Sequence, residues 1–418
     1  MIEISTAKNL DATDTLSQFR NRFYIPMHQN IPVVYLCGNS LGLQPITAKN
    51  AILTELDSWA TLGVEGHFIG ANPWIDFHKP LAELSTKIVG AKAHEIVVMN
   101  SLTVNLHLLL VSFYQPTAQK YKILMEGGAF PSDQYAVESQ VKFHHLLPED
   151  AIVEIFPRAN EHTLRTEDII EKIKELGNSL ALVLFGGVNY YTGQAFAMQA
   201  ITEAGQSVGA KVGFDLAHAV GNIPLQLHDW KVDFAVWCSY KYLNSGAGGT
   251  SGVFIHEKYA EDYTRSRFAG WWGHDRKNRF LMQKGFVPMF GAEGWQLSNA
   301  QILPMAVHKA ALEIFEEAGM ENLRAKSEKL SKFAIDLLKQ FNEEQTTTKV
   351  TILTPQNPQE RGCQLSLLFA ENGREIFQKL RQNGIIADWR EPSIIRIAPT
   401  PLYNSFEDVW KFYEALKM

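Results

Sequence analysis

The sequence predicts an α/β protein, with a large domain built on a mainly parallel sheet and a smaller α+β domain. Three observations predict it. Between residues 96 and 256, short apolar runs alternate with amphipathic stretches, the pattern of strands joined by crossover helices. At 418 residues the chain is too long for one ordinary core. Beyond Asn299 the alternation gives way to two long helical periods and then short strands.

Taken in order, residues 11–22 have the spacing of a short amphipathic helix and residues 33–37 that of a strand. A loop with two glycines, 38–45, follows. Pro45 then opens a helix towards Leu62, at a position where its missing N–H costs nothing. Residues 63–74 bear Gly, His and aromatic side chains without periodicity, as functional loops and packing lids both do. Residues 80–89 read as a helix. The alternation then runs strand 96–99, helix 103–113, strand 122–125, helix 132–144, strand 152–156, helix 166–176, strand 180–185 and helix 200–208. Strands 212–214 and 234–238 come next, and strand 252–256 pairs against the others. Helices 302–318 and 322–341 are long and amphipathic. Strands 350–353, 363–369, 385–389 and 394–397 follow, with helix 372–383 among them. A helix from 405 to 418 closes the chain, with Ser405 as N-cap. The expected domains are 63–301, large, and 1–62 with 302–418, small.

Composition bounds the partners. Hydrophobic content of 46% and charged content of 20% describe a soluble globular protein. A net charge of −6 with no basic stripe argues against nucleic acid. The three cysteines, Cys37, Cys238 and Cys363, form no ligand spacing and cannot all pair, which fits a reduced compartment. No signal-like segment and no bilayer-length apolar run occur, so the expectation is a cytoplasmic protein without a membrane partner.

The chemistry concentrates between Lys211 and Gly252. Two apolar runs stop at charged residues, one at Asp215 and one just before Lys241. In open α/β sheets, the carboxyl ends of strands converge on a ligand crevice. An acid and an amine delivered there suit pyridoxal phosphate: the amine forms a Schiff base and the acid partners the pyridinium nitrogen. Either residue alone is better read as an ordinary strand end. Together, with Ser239, Tyr240 and Tyr242 around the lysine and a glycine run after it, they are not. That run breaks the G-x-G-x-x-G spacing at Ser251 and leads into a strand, which excludes a dinucleotide fingerprint.

Two strand-to-helix junctions, 100–103 and 130–133, offer backbone N–H groups to a phosphate, with Thr103 adding a hydroxyl. As lone features they would be plain helix caps. Phe130 is placed to stack on a flat ring. His218, three residues after Asp215, has no clustered metal partners, so it is read as supporting the cofactor and no metal is expected. Arg396 ends an apolar pair in the small domain and is either a carboxylate clamp or a surface strand residue.

These stretches together resemble the kynureninase family. The motifs are Leu36-Cys-Gly-Asn-Ser-Leu-Gly, Leu102-Thr-Val-Asn-Leu-His, Phe130-Pro-Ser-Asp and Tyr191-Thr-Gly-Gln. Next come Gly213-Phe-Asp-Leu-Ala-His-Ala-Val-Gly-Asn, Trp237-Cys-Ser-Tyr-Lys-Tyr-Leu-Asn, Gly270-Trp-Trp-Gly-His and Ile395-Arg-Ile-Ala-Pro-Thr-Pro-Leu-Tyr-Asn-Ser-Phe. The resemblance implies the pyridoxal-phosphate fold type I of aspartate aminotransferase. It implies hydrolytic cleavage of the Cβ–Cγ bond of kynurenines within tryptophan breakdown or NAD synthesis. Lys241 is then the Schiff-base lysine and base at Cα, Asp215 the ring partner and Tyr240 the proton relay. Leu102, Thr103, Phe130, Pro131, Ser132, Asp133 and His218 surround the cofactor, with Trp271 and Asn299 arriving from the second subunit of a homodimer. Arg396 holds the substrate carboxylate, while His67 and Asn299 border the aryl ring and favour the 3-hydroxylated substrate. One departure stands out: Gly186 replaces a serine common among relatives. The rivals are an aminotransferase, a cysteine desulfurase, or a non-catalytic protein that binds pyridoxal phosphate.

Overall fold

The computed structural model describes residues 2–345 and 348–417. The expected end of the last helix, Met418, lies outside them.

Seven strands form the large sheet: β1 (Ile96–Val98), β2 (Lys122–Glu126), β3 (Ile152–Ile155), β4 (Leu180–Gly186), β5 (Lys211–Asp215), β6 (Phe234–Trp237) and β7 (Gly252–Ile255). Their order across the sheet is β1-β7-β6-β5-β4-β2-β3. The ladders β3–β2–β4–β5–β6 are parallel, and β7 alone runs antiparallel, to both β6 and β1. Nearly every residue of β1, β2, β4, β5, β6 and β7 is buried, because helices cover both faces, and this is why these strands read as unbroken apolar runs. The covering helices include α3 (His78–Val89), α4 (Leu102–Phe113), α5 (Pro131–Phe143), α6 (Thr166–Leu176) and α7 (Met198–Ser207). One core lies on each face of the sheet, one around Val183, Phe214 and Trp237 and the other around Leu109, Leu182 and Val236.

The second sheet has four antiparallel strands: β8 (Thr351–Ile352), β9 (Leu365–Leu368), β10 (Asp388–Arg390) and β11 (Ile394–Ile397). Helices α9 (Met320–Glu344), α10 (Gly373–Gln382) and α11 (Phe406–Lys417) enclose its own core around Leu338, Ile395 and Phe412. The intervening α8 (Ile302–Ala318) contributes Met305, Leu312 and Phe315 to the large core instead, and α2 (Ala48–Leu62) packs on it.

Two expectations are corrected. The first helix is α1 (Ile4–Ala12), not residues 11–22, and it is followed by a short 3-10 turn, Ser17–Arg22. Asp14 breaks the period: its carboxylate accepts from Leu16 N–H at 2.9 Å and pairs with Lys326 at 2.7 Å. The run 385–389 is not one strand. Ile385–Ile386 pairs in parallel with Val34–Tyr35, whereas β10 pairs with β11. Ser405 caps α11 as expected, its hydroxyl accepting from Asp408 N–H at 3.0 Å.

Candidate active site

The crevice opens off the carboxyl ends of β2, β4 and β5. Its lining comprises Leu102, Thr103, Glu126, Phe130, Ser132, Asp133, Gly186, Val188, Tyr190, Asp215, Ala217, His218, Tyr240 and Lys241, around about 530 Å³ of empty space. Nine of the candidate site residues named from the sequence, and Gly186 with them, therefore converge on one volume. Pro131, the first residue of α5, sits beside them and fixes the entry of that helix.

Each side chain is delivered by a local cause. Asp215 ends β5, and its Oδ1 accepts from Ala217 N–H at 2.7 Å, so the acid is held by its own turn. Thr103 and Ser132, in the first turns of α4 and α5, exchange a hydrogen bond at 2.8 Å. Two helix N-termini thus open side by side, a cup for a dianion. Phe130 precedes α5 with an exposed ring, 5.8 Å from Lys241 Nζ. Lys241 lies four residues past β6, and its Nζ donates to His218 Nε2 at 2.9 Å. The loop 38–42 buttresses that turn: Gly42 N–H donates to Tyr240 O at 2.8 Å. A Cβ at Gly42 would lie 2.3 Å from Lys241 O, which explains the glycine.

The electrostatics follow from burial. Desolvation raises the Asp215 carboxyl, opposed by Ala217 N–H, by the Lys241 charge and by a hydrogen bond from Asp133. Asp133 is driven well above the ordinary range by burial and then by Asp215, so it is the member of this pair that keeps the proton. His218 is held well below its usual value by burial, then by Lys241, and remains a neutral acceptor. Burial, then Cys238, raises the Tyr240 phenol, which therefore stays protonated as a donor.

These residues fit pyridoxal phosphate. The cup would hold a phosphate, the slot beside Phe130 a flat ring, Asp215 a ring nitrogen and Lys241 an aldehyde. Buried oxygens of Asp133 and Glu126, and Nδ1 of His218, have no protein partner, as expected of a site built around a polar ligand.

The remaining candidates lie elsewhere. His67 and Asn299 share a second hollow with Glu55, Trp59 and Trp74, about 830 Å³ of empty space. His67 Nδ1 bonds Val64 O at 3.1 Å. Trp271 is exposed on a third segment, its Nε1 donating to Arg279 O. Arg396 is 1% exposed, directly opposite Asp388 across the β10–β11 ladder, ion-paired to it and donating to the carbonyl of Tyr190, a residue of the crevice lining. Arg390 shares the same Asp388 carboxylate at 3.1 Å. Burying a guanidinium demands a counter-charge, and Asp388 supplies it.

Sequence reasoning missed Glu126, Tyr190 and Asp388. Glu126 ends β2 as Asp215 ends β5, so the same strand-end signal was there to find it. Away from the site, Glu95, His228 and His256 approach within metal-binding reach, but Glu95 already accepts from Lys92 N–H, Glu257 N–H and His228. That cluster is a structural network.

The comparisons agree with this geometry. A profile of the kynureninase C-terminal domain matches residues 323–416. A kynureninase of Flavobacterium psychrophilum is 54% identical over 98% of this chain and 96% of its own length. One of Myxococcus xanthus is 53% identical over 99% and 96%, and one of Mus musculus 48% over 98% and 92%. Among solved structures, a cysteine desulfurase of Escherichia coli superposes with a TM-score of 0.77 over 96% of this chain and 98% of its own, at 16% identity. The cystine C–S lyase C-DES, in complex with its product, gives 0.76 over 92% and 97% at 19%. Those two likenesses establish the fold type I architecture alone. Identity near one half along the whole length establishes more: this chain belongs to the kynureninase family.

Proposed function

We infer that the protein is a pyridoxal-phosphate-dependent hydrolase that cleaves the Cβ–Cγ bond of L-kynurenine and 3-hydroxykynurenine, releasing L-alanine and anthranilate or 3-hydroxyanthranilate. The observation that carries the reading is the Lys241–His218–Asp215 arrangement, in a chain about half identical to curated kynureninases throughout. Bound pyridoxal phosphate supplies an aldehyde that captures the substrate amine and a ring that takes up the electron pair released at Cα.

The protein's residues do the rest. Thr103, Ser132 and the N-termini of α4 and α5 hold the phosphate. Asp215 keeps a proton on the ring nitrogen. The Lys241 amine, aimed by neutral His218, removes the Cα proton. A water attacks the γ-carbonyl, and the neutral Tyr240 phenol donates the proton that Cβ needs once the aryl acid leaves. Arg396 holds the substrate α-carboxylate after exchanging it for Asp388. The cysteine desulfurase reading needs an accessible reactive thiol. Cys37, Cys238 and Cys363 are all buried, and burial pushes the Cys37 thiol up to about 11 and that of Cys363 up to about 12.

The working unit is a cytoplasmic homodimer, each chain divided into 63–301 and 1–62 with 302–418. Trp271 and Asn299 complete the neighbour's crevice, and His67 and Asn299 contact the 3-hydroxyl there. An exposed aromatic run supports this: His67 meets Phe68 at 6.2 Å, Phe68 meets Phe280 at 6.3 Å, and Phe280 meets Trp271 at 5.4 Å. Among the described residues, no helix is long and apolar enough to cross a membrane.

Incubation with each kynurenine tests the reaction, watching for a fluorescent anthranilate and stoichiometric alanine. Transamination to a keto acid, or no reaction with cofactor bound, would overturn it.

A further inference from the structure

Three carboxyl groups crowd the crevice. Glu126 ends β2, Asp215 ends β5 two strands away, and Asp133 stands in the first turn of α5. All three are buried, and one amine, Lys241, faces them. Two of the acids already have a balance: Asp215 is matched by Lys241, and Asp133 shares its proton with Asp215. Nothing remains for a charge on Glu126. The other groups recorded against it are neutral, Gly186 at the end of β4 and Asn189 after it, and so are His218 and the Tyr240 phenol, which line the same crevice. The guanidinium groups of Arg390 and Arg396 are spent on Asp388. A buried carboxylate with no counter-charge keeps its proton.

The geometry gives that proton a place. Glu126 Oε1 accepts from Asn189 Nδ2 at 3.5 Å and lies against the backbone of Gly186. Gly186 is the residue paired with Asp215 in the β4–β5 ladder, so Glu126 braces the strand beside the catalytic acid. The other oxygen, Oε2, is buried and has no partner in the protein. Gly186 also keeps the space open, since a Cβ there would stand 3.1 Å from Oε1.

We propose that Glu126 is a positioning residue that works as a neutral carboxylic acid, bracing the end of β4 through Oε1 and presenting an O–H donor to the crevice through Oε2. Its ionisation disables the site as its removal does. Burial raises the group to about 8, with the Gly186 N–H opposing and Asp215 adding to the rise. At neutral pH the group therefore keeps its proton. Above that range a second uncompensated negative charge faces Asp215 and Asp133. The O–H donor that Oε2 offered to the crevice is lost at the same time.

This inference rests on the hydrolase reading only for its kinetic arm. The first measurement is independent of turnover: infrared spectra of holoenzyme at pH 6.5, wild type minus Glu126→Gln, with 13C-labelled glutamate to identify the band. A protonated carboxyl stretch that shifts with the label and vanishes in the variant is expected. Its absence would overturn the proposal whatever the substrate proves to be. The second is kcat/KM against pH. Wild type should lose activity with an alkaline limb near pH 8, and Glu126→Gln should move that limb up by at least about one pH unit. An unmoved limb would overturn the ionisation switch. Glu126→Ala, lacking the brace, should fall at least about tenfold below Glu126→Gln at pH 7, and equal activity of the two would remove the positioning role.

Discussion

Replacing Gly42 with alanine should disable the lysine without touching it. An added Cβ would sit 2.3 Å from Lys241 O, 2.3 Å from Asn244 Oδ1 and 2.9 Å from Asn244 Cα. Two of these three atoms are backbone, so no side-chain rotation relieves the clash. Ordinary contact begins near 3.4 Å, and the turn carrying Lys241 must therefore retreat by about 1 Å. A displacement of that size costs on the order of a hundredfold in rate when it moves a reacting group. Overpacking of this kind also costs about 1–3 kcal/mol of stability. The assay is kcat by anthranilate fluorescence with cofactor saturating, alongside borohydride trapping of the Lys241–cofactor linkage. Gly177→Ala is the control. Gly177 has φ +47° with nothing within 4 Å of the new methyl, so it incurs backbone strain of about 1 kcal/mol and keeps its activity. A folded Gly42→Ala enzyme with kcat within about threefold of wild type would refute the reasoning.

Three further outcomes are expected. Asp215→Ala should lose at least a hundredfold in kcat, the ~3 kcal/mol typical of a preorganised charge, and near-normal turnover with cofactor bound would exclude its role at the ring nitrogen. Wild type should favour 3-hydroxykynurenine over kynurenine by at least about tenfold in kcat/KM, which is ~1.4 kcal/mol, and Asn299→Thr should erode that ratio. An unchanged ratio would reduce His67 and Asn299 to packing residues. Mixed Lys241→Ala and Asn299→Ala subunits should regain activity, since each heterodimer holds one intact crevice. No recovery after verified exchange would count against sites shared between subunits.

What was legible in the sequence is what local chemistry dictates. A buried strand is a continuous apolar run, and its end is marked by the first charge. Asp215 and Lys241 announced themselves that way, as did the Thr103 and Ser132 junctions. Glu126 was equally marked and went unread because strand 122–125 was closed one residue early. Asp388 was illegible for a different reason. Its meaning is a partner across a ladder, and the split at Ala387 that sends Ile385–Ile386 to one strand and Asp388–Arg390 to another depends on the distant Val34–Tyr35. The same holds for Asp14, whose pairing with Lys326 helps end α1 where residue spacing would have continued a helix. Pairings hundreds of residues apart leave no local periodicity to read.

Several ties bind the head of the chain to its tail. Val34–Tyr35 pairs with Ile385–Ile386, Asp11 accepts from Phe406 N–H and Glu407 N–H, and Arg20 pairs with Asp408. On a ribosome these partners are made last. At about 5–20 residues per second, the roughly 350 residues between them take on the order of 20–70 s to appear. Within that interval the large sheet can form while Val34–Tyr35 has no strand to pair with. Leu36, buried in the finished small core, stays in water or with a chaperone until Leu365 and Ile397 are synthesised. The lysine's own buttress, the Gly42 loop, hangs from that same waiting segment, so a newborn chain can hold its fold without yet holding its active site.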